Sequence, residues 1–277
     1  MSAGVMKVAI VHEVFHGPDG ADRLGRRLRE AREAGAELAL LPELPLHPWV
    51  PASRDARDQD AEPPGGARHQ SMAEAAREAG IGIHGGTIVL DPAAGKRFNR
   101  ALLFDPTGTL VGTYDKMHVP CEDGFWEADH YEPGETLPRP IDAFRMPLGM
   151  QICSDVQRPA LSNVLGAMGA ELILAPRATP ATSYERWTTV LRGIAVSSAT
   201  YVISVNRPAP EGGAPIGGAS IAIAPDGTVL AESTAPVATL ALERSVVKRA
   251  RRDYPGYIAV RADLYARAWA DVSSQNP

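Results

Sequence analysis

Two cysteines, Cys121 and Cys153, are all that the 277 residues contain. They are too few for a disulfide framework, so a reducing, cytoplasmic compartment is expected. Long apolar runs are also missing. The longest, at residues 38–42 and 172–176, fall far below the roughly 20 residues that cross a bilayer. Residues 1–11 lack the apolar core and small-residue cleavage site of a secretory signal, so no membrane partner is expected. Nor is there an excess of positive charge: Lys+Arg 28 against Asp+Glu 33 gives −5. The one basic cluster, Lys248-Arg249-Ala250-Arg251-Arg252, reads as a solvated face or subunit contact and not as a nucleic-acid surface.

What remains is ordinary globular material. Hydrophobic residues make up 44% and charged residues 22%, enough to bury a sizeable core. No linker composition interrupts the chain, so residues 1–277 read as a single α/β domain. Residues 5–11 form an apolar run, 21–34 carry helical spacing closed by Gly35, and 38–42 are apolar again. This β-α-β opening implies a right-handed crossover and a parallel pair. Residues 44–66 are proline-rich and aperiodic, a long loop of the kind that carries function. A helix over 67–79 ends at Gly80, followed by a strand over 81–90. Strands at 100–104 and 109–114 flank the turn Asp105-Pro106-Thr107-Gly108.

The second half repeats the scheme. A strand pair or bent strand over 144–152 ends at Cys153, a helix at 159–168 leads to a strand at 171–175, and a helix at 182–199 leads to a strand at 201–206. A hairpin at 219–224 and 229–232 turns through Pro225-Asp226-Gly227-Thr228. A strand at 237–242 precedes a basic, aromatic tail. Two similar α/β layers are expected from the two similar hairpins.

Three residues share one placement. Glu43 follows the second strand, Lys116 the strand at 109–114, and Cys153 the strand at 144–152. Side chains at the carboxyl ends of strands can converge on one sheet edge. A carboxylate directly after an apolar strand is costly to bury unpartnered, and a helix N-terminus near Cys153 favours the thiolate. Together the three supply a nucleophile, a proton acceptor and an oxyanion stabiliser.

Pro42-Glu43, the segment from Tyr114 to Pro120, and Gly149-Met150-Gln151-Ile152-Cys153-Ser154-Asp155 resemble the three ordered signatures of the carbon–nitrogen hydrolase (nitrilase) superfamily. Gly169-Ala170-Glu171-Leu172-Ile173-Leu174-Ala175-Pro176 and Gly217-Gly218-Ala219-Ser220 extend the likeness over residues 5–245. The resemblance implies a four-layer α-β-β-α sandwich and dimers, with the tail from about 245 to 277 in subunit contacts. It also implies no metal and no organic cofactor. The implied activity is hydrolysis of a small amide or N-carbamoyl compound through a thioester on Cys153. Glu43 would be the base, with Lys116 and the Ser154 N–H on the oxyanion. Gly124-Phe125-Trp126-Glu127 is similar to the N-carbamoylputrescine amidase branch, which implies a second, positioning glutamate at Glu127; Glu122 and Glu132 are its rivals.

Departures from the family pattern limit the reading. Ser154-Asp155 replaces the Cys-Trp-Glu context of true nitrilases and argues against nitrile hydrolysis. Ala160 stands where relatives carry glutamate, and Ile194-Ala195 and Ser197-Ser198 replace the usual Arg-Ala and Glu-Asn. Arg158 and Arg177 lie in segments that border the pocket of similar N-carbamoyl-D-amino-acid hydrolases. Either could grip a substrate carboxylate or serve as a surface or ion-paired arginine. Trp126 and Trp187 are pocket walls or core.

Two further patterns read as coincidences. His12-Glu13-Val14-Phe15-His16 spells H-E-x-x-H, but it runs into Gly17-Pro18, leaving no helix to align the histidines. Gly218-Ala219-Ser220-Ile221-Ala222 resembles a serine nucleophile elbow but lacks the last glycine. The competing functional classes are a catalytically silent scaffold and, through His12 and His16, a zinc peptidase.

Overall fold

The computed structural model describes residues 4–275. The chain runs β1 (Val5–Val11), α1 (Gly20–Glu33), β2 (Leu38–Leu40), α2 (Ala67–Ala79), β3 (Gly82–Asp91), β4 (Lys96–Phe104), β5 (Leu110–Asp115). The second half is β6 (Leu148–Met150), α3 (Pro159–Ala167), β7 (Leu172–Leu174), α4 (Tyr184–Ser198), β8 (Tyr201–Ser204), β9 (Ser220–Ile223), β10 (Val229–Ser233). It closes with β11 (Val237–Glu243), α5 (Arg244–Arg252) and α6 (Ala262–Gln275).

These strands build two mixed sheets, ordered β11-β1-β2-β3-β4-β5 and β10-β9-β8-β7-β6. In the first, β1, β2 and β3 are parallel, then β4 and β5 follow as antiparallel neighbours. In the second, β6, β7 and β8 are parallel and β9 and β10 antiparallel. The alternation of β1 shows how the layers form. Met6, Val8 and Ile10 point into a core shared with the second sheet, whereas Ala9 and Val11 join Leu24 and Leu28 of α1 and Met72 of α2. On the far side, α4 buries Trp187, Leu191, Ile194 and Ala195 along one helical face. The result is helix pair, sheet, sheet, helix pair: a four-layer α-β-β-α sandwich.

Local signals explain most boundaries. Gly80, at φ 62°, closes α2 in the left-handed conformation that favours glycine. Pro147, which has no N–H, immediately precedes β6 and cuts the expected strand over 144–152 to three residues. The strand β4 begins at Lys96 rather than Arg100, pairing with β3 in a hairpin the apolar pattern hides. Its inward residue there is Asn99, buried and polar, so no apolar alternation marks it. The tail forms two helices, α5 and α6, where the sequence signals only charge and aromatics. Among the described residues no helix is long and apolar enough to cross a membrane.

Candidate active site

Because β5 is antiparallel to β4, and β4 to β3, β5 points the same way as β2 and β3. Glu43 and Lys116 therefore leave the first sheet at one edge. Cys153 leaves the facing sheet just past β6 and opens a short 3-10 turn, which α3 follows. Its φ of 47° lies in the left-handed region, a strained conformation for a non-glycine residue that recurs at functional turns.

The structure brings Glu43, Lys116, Glu127 and Cys153 together. The Lys116 ammonium, fully buried, donates to Glu43 Oε1 at 2.8 Å and to Glu127 Oε2. Asn99 Nδ2 adds a bond to Glu43 Oε1 at 2.8 Å and one to Tyr131 Oη at 3.2 Å, and Tyr131 donates to Glu127 Oε2. Glu43 Oε2 and Glu127 Oε1 are buried without a hydrogen-bond partner. Each carboxylate is thus held by one oxygen and leaves the other open. Glu122 is exposed and Glu132 lies outside this cluster, so Glu127 is the carboxylate that meets Lys116.

The cluster fixes its own protonation. Burial pushes the Cys153 thiol well above its usual range, and Glu43 adds to this against the opposing pull of Lys116. Burial disfavours a charged Lys116, but Glu127 and Glu43 outweigh it and keep the ammonium charged. Glu127 is pushed up to about 7, by burial first, with Lys116 opposing and Glu43 reinforcing. One buried cation facing two carboxylates favours a proton on one of them.

Two braces hold the site, and sequence reasoning assigned them no role. Asp155, fully buried, accepts from Tyr114 Oη (2.8 Å), Ile152 N (2.9 Å), Met117 N (3.2 Å), and His118 N and Nδ1 (3.0 and 2.8 Å). It ties the Lys116 segment to the turn bearing Cys153. Arg207, also fully buried, donates to the carbonyls of Glu43 (2.9 Å), Leu44 (2.8 Å) and His47 (3.0 Å) and pairs with Glu211. It clamps the turn after Glu43, where Leu44 holds a φ of 48°.

Beside Cys153 lies a cavity of about 460 Å³. Glu127, Cys153 and Ser154 contribute to its lining, with Pro120, Glu122 and Phe125 from one segment, Thr182 from the 3-10 turn before α4, and Arg186 and Trp187 from the first turn of α4. Ser154 Oγ donates to the His118 carbonyl. Cys153 N donates to Pro176 O at 2.8 Å, and its Sγ lies 4.0 Å from Ala178 O.

Three residues expected at the pocket are placed elsewhere. Arg158 is exposed and does not line the cavity. Arg177 is buried, and its guanidinium is consumed by Thr179 Oγ1, the carbonyl and hydroxyl of Ser204, and the Ala219 carbonyl. Neither is placed to meet a ligand in this cavity. Trp126 also stands off it, under the Arg54 guanidinium at 3.8 Å. The departures at Ser197 and Ser198 fall at the far end of α4, about 16 Å along the helix from Trp187. The two coincidental motifs meet each other: His12 Nδ1 and Ser220 Oγ are 2.8 Å apart, while His16 faces Glu211 at 3.3 Å. Residues 12–16 are not helical, and among the described residues no group of three or more His, Cys, Asp or Glu could hold a metal.

The carbon–nitrogen hydrolase family model matches residues 17–252. The ω-amidase NIT2 of Pongo abelii is 30% identical over 257 residues, 90% of this chain and 91% of the relative. The 2-oxoglutaramate amidase of Paenarthrobacter nicotinovorans is 29% identical over 280 residues, covering 96% and 92%. Among solved structures, a carbon–nitrogen hydrolase from Helicobacter pylori G27 superposes with a TM-score of 0.85 at 21% identity, over 96% of this chain and 98% of its own. An amidase from Nesterenkonia sp. AN1, in a variant complexed with acrylamide, gives 0.78 at 24% identity over 97% and 98%. Another variant of that amidase carries the acetamide moiety of fluoroacetamide covalently on its active-site cysteine. At these identities the two structures establish the shared sandwich fold.

Proposed function

The chain belongs to the carbon–nitrogen hydrolase family, and we propose that it is an amidase that cleaves the C–N bond of a small amide through a thioester on Cys153. The observation that carries this reading is the buried Glu43–Lys116–Glu127 cluster beside a cysteine that lines a cavity of ligand size. The ω-amidase and 2-oxoglutaramate amidase relatives support an amide in preference to an N-carbamoyl substrate.

The proposed steps follow from the open valences. With its thiol held neutral by burial, Cys153 needs a base before it can attack, and Glu43 has one buried oxygen without a partner. Glu43 takes the thiol proton as sulfur bonds to the amide carbon. An ammonium has three N–H groups. Two of those on Lys116 are held by Glu43 and Glu127; the third, with the Ser154 N–H, stabilises the oxyanion. Glu43 then hands its proton to the leaving nitrogen, and ammonia or an amine departs. In the second half Glu43 takes a proton from water, hydroxide adds to the thioester, and the proton returns to sulfur as the acid is released.

Labelling with iodoacetamide and an ammonia-release assay test this directly. Modification of Cys153 ahead of the exposed Cys121, with loss of amide turnover in Cys153→Ala, is the expected result. Wild-type turnover in Cys153→Ala would sink the mechanism.

We also infer that the tail meets a second copy of the chain. Tyr265 and Trp269 stand one turn apart on α6 and are exposed, an aromatic face that a lone chain leaves in water.

A further inference from the structure

The proposed chemistry leaves one cation on the cavity wall without a role. Arg186 stands in the first turn of α4 and lines the cavity that Cys153 also lines. Among the described residues, no ion pair or hydrogen bond engages its guanidinium. Arg177 is occupied by neutral acceptors, Arg207 by Glu211 and three carbonyls, and Arg54 by the ring of Trp126. Among the described residues that line the cavity, Arg186 is the one arginine.

Its surroundings favour an anion on that wall. The positive end of a 15-residue helix lies at Tyr184, whose N–H is taken by the Ala181 carbonyl; the helix dipole adds to the arginine's field, against the exposed Glu185 of the same turn. The hydroxyl-bearing Thr182 and Ser183 line the same stretch. On the segment that includes Pro120 and Phe125, Glu122 contributes the opposite charge and repels an anion from that side. The cavity is therefore polarised, with an acid on one wall and a free guanidinium on another.

We propose that Arg186 is the specificity-determining residue of this site, binding the carboxylate of a substrate whose amide end lies at Cys153. This rests on the amidase reading above. A planar guanidinium can hold a carboxylate through two parallel N–H bonds, which fixes the far end of a small acid amide and brings its carbonyl to the sulfur. Neutral amides would enter the same cavity without that anchor.

Steady-state kinetics with two amides of matched length separate the possibilities: the monoamide of glutaric acid and valeramide. Wild type should favour the acid amide. Arg186→Met should raise KM for the acid amide about 10- to 100-fold and leave the kinetics of valeramide unchanged, with Arg186→Lys recovering part of the loss. Glu122→Gln should lower KM for the acid amide alone. Equal losses on both amides in Arg186→Met, or none on either, would overturn the assignment while leaving the amidase reading intact. If wild type hydrolyses neither amide and Cys153 resists acylation, the amidase reading falls, and this proposal with it.

Discussion

Tyr114 Oη donates to Asp155 Oδ2 at 2.8 Å, joining the last strand of the first sheet to the turn that presents Cys153. The other Asp155 oxygen holds the backbone just past Lys116 at Met117 and His118. Nucleophile and ammonium belong to different sheets, and this buried carboxylate is what registers one against the other. Asp155→Asn replaces an acceptor oxygen with an NH₂ that faces donors. It should cost about 1–3 kcal/mol of stability and lower kcat more than KM, because the groups are displaced, not the cavity. Urea unfolding and steady-state kinetics check both, and a wild-type kcat in a destabilised variant would show that Asp155 serves folding alone.

Lys116 is 0% exposed and faces two carboxylates. Removing one partner of a buried ion pair leaves charge without compensation. Lys116→Met should therefore abolish amide turnover and destabilise the fold by about 3–5 kcal/mol, measured by chemical denaturation. A variant as stable as wild type would contradict the charged cluster described here.

Arg207 reaches Glu43 across 164 residues of sequence. Its guanidinium binds the carbonyl of Leu44, whose left-handed backbone needs outside support to persist. Lysine cannot reproduce that fork. Arg207→Lys should lower both the thermal midpoint and kcat, and the rate of Cys153 alkylation should fall with kcat, since the neutral thiol depends on Glu43 as its base. Alkylation at the wild-type rate would show that Arg207 serves folding and does not place the base.

The contrast between these residues explains what the sequence could show. Glu43, Lys116 and Cys153 each follow an apolar strand, so a local pattern places them, and the order of their motifs identifies the fold. Asp155 lies two residues from Cys153, but nothing local says that it will accept from Tyr114 and His118. Arg207 and Asn99 act across 164 and 56 residues, pairings no periodicity encodes. Arg186 sits on a helix whose apolar face is readable, but the cavity beside it forms only when the segment holding Pro120 and Phe125 packs opposite. Arg177 misleads for the same reason: its segment does reach the site, as Pro176 and Ala178 show, but its side chain is consumed by Ser204 and Ala219.

The exposed rings of α6 predict self-association. Tyr265 and Trp269 are 62% and 59% exposed, and burying such rings on a second copy is strongly favourable. Light scattering should give twice the 29.5 kDa of the chain, and Trp269→Glu with Tyr265→Glu should return it to monomer. A monomeric wild type would refute the inference of self-association through this helix.

Glu127 makes stability depend on pH in a direction opposite to that of most carboxylates. Burial pushes it from 4.5 to about 7 in the folded chain. Between those values the folded chain holds a proton that the unfolded chain has released, so this group's contribution to stability falls as pH rises through that window. Below 4.5 both states are protonated and above about 7 both are ionised, and the slope disappears at either end. Glutamine keeps the neutral shape and cannot ionise. Glu127→Gln should therefore gain on wild type as pH rises from 4.5 to 7, with a constant difference on either side. Thermal midpoints of the two proteins, measured across that range, give the difference directly. A difference that does not change with pH would mean that Glu127 is already ionised at pH 4.5, with Lys116 outweighing its burial.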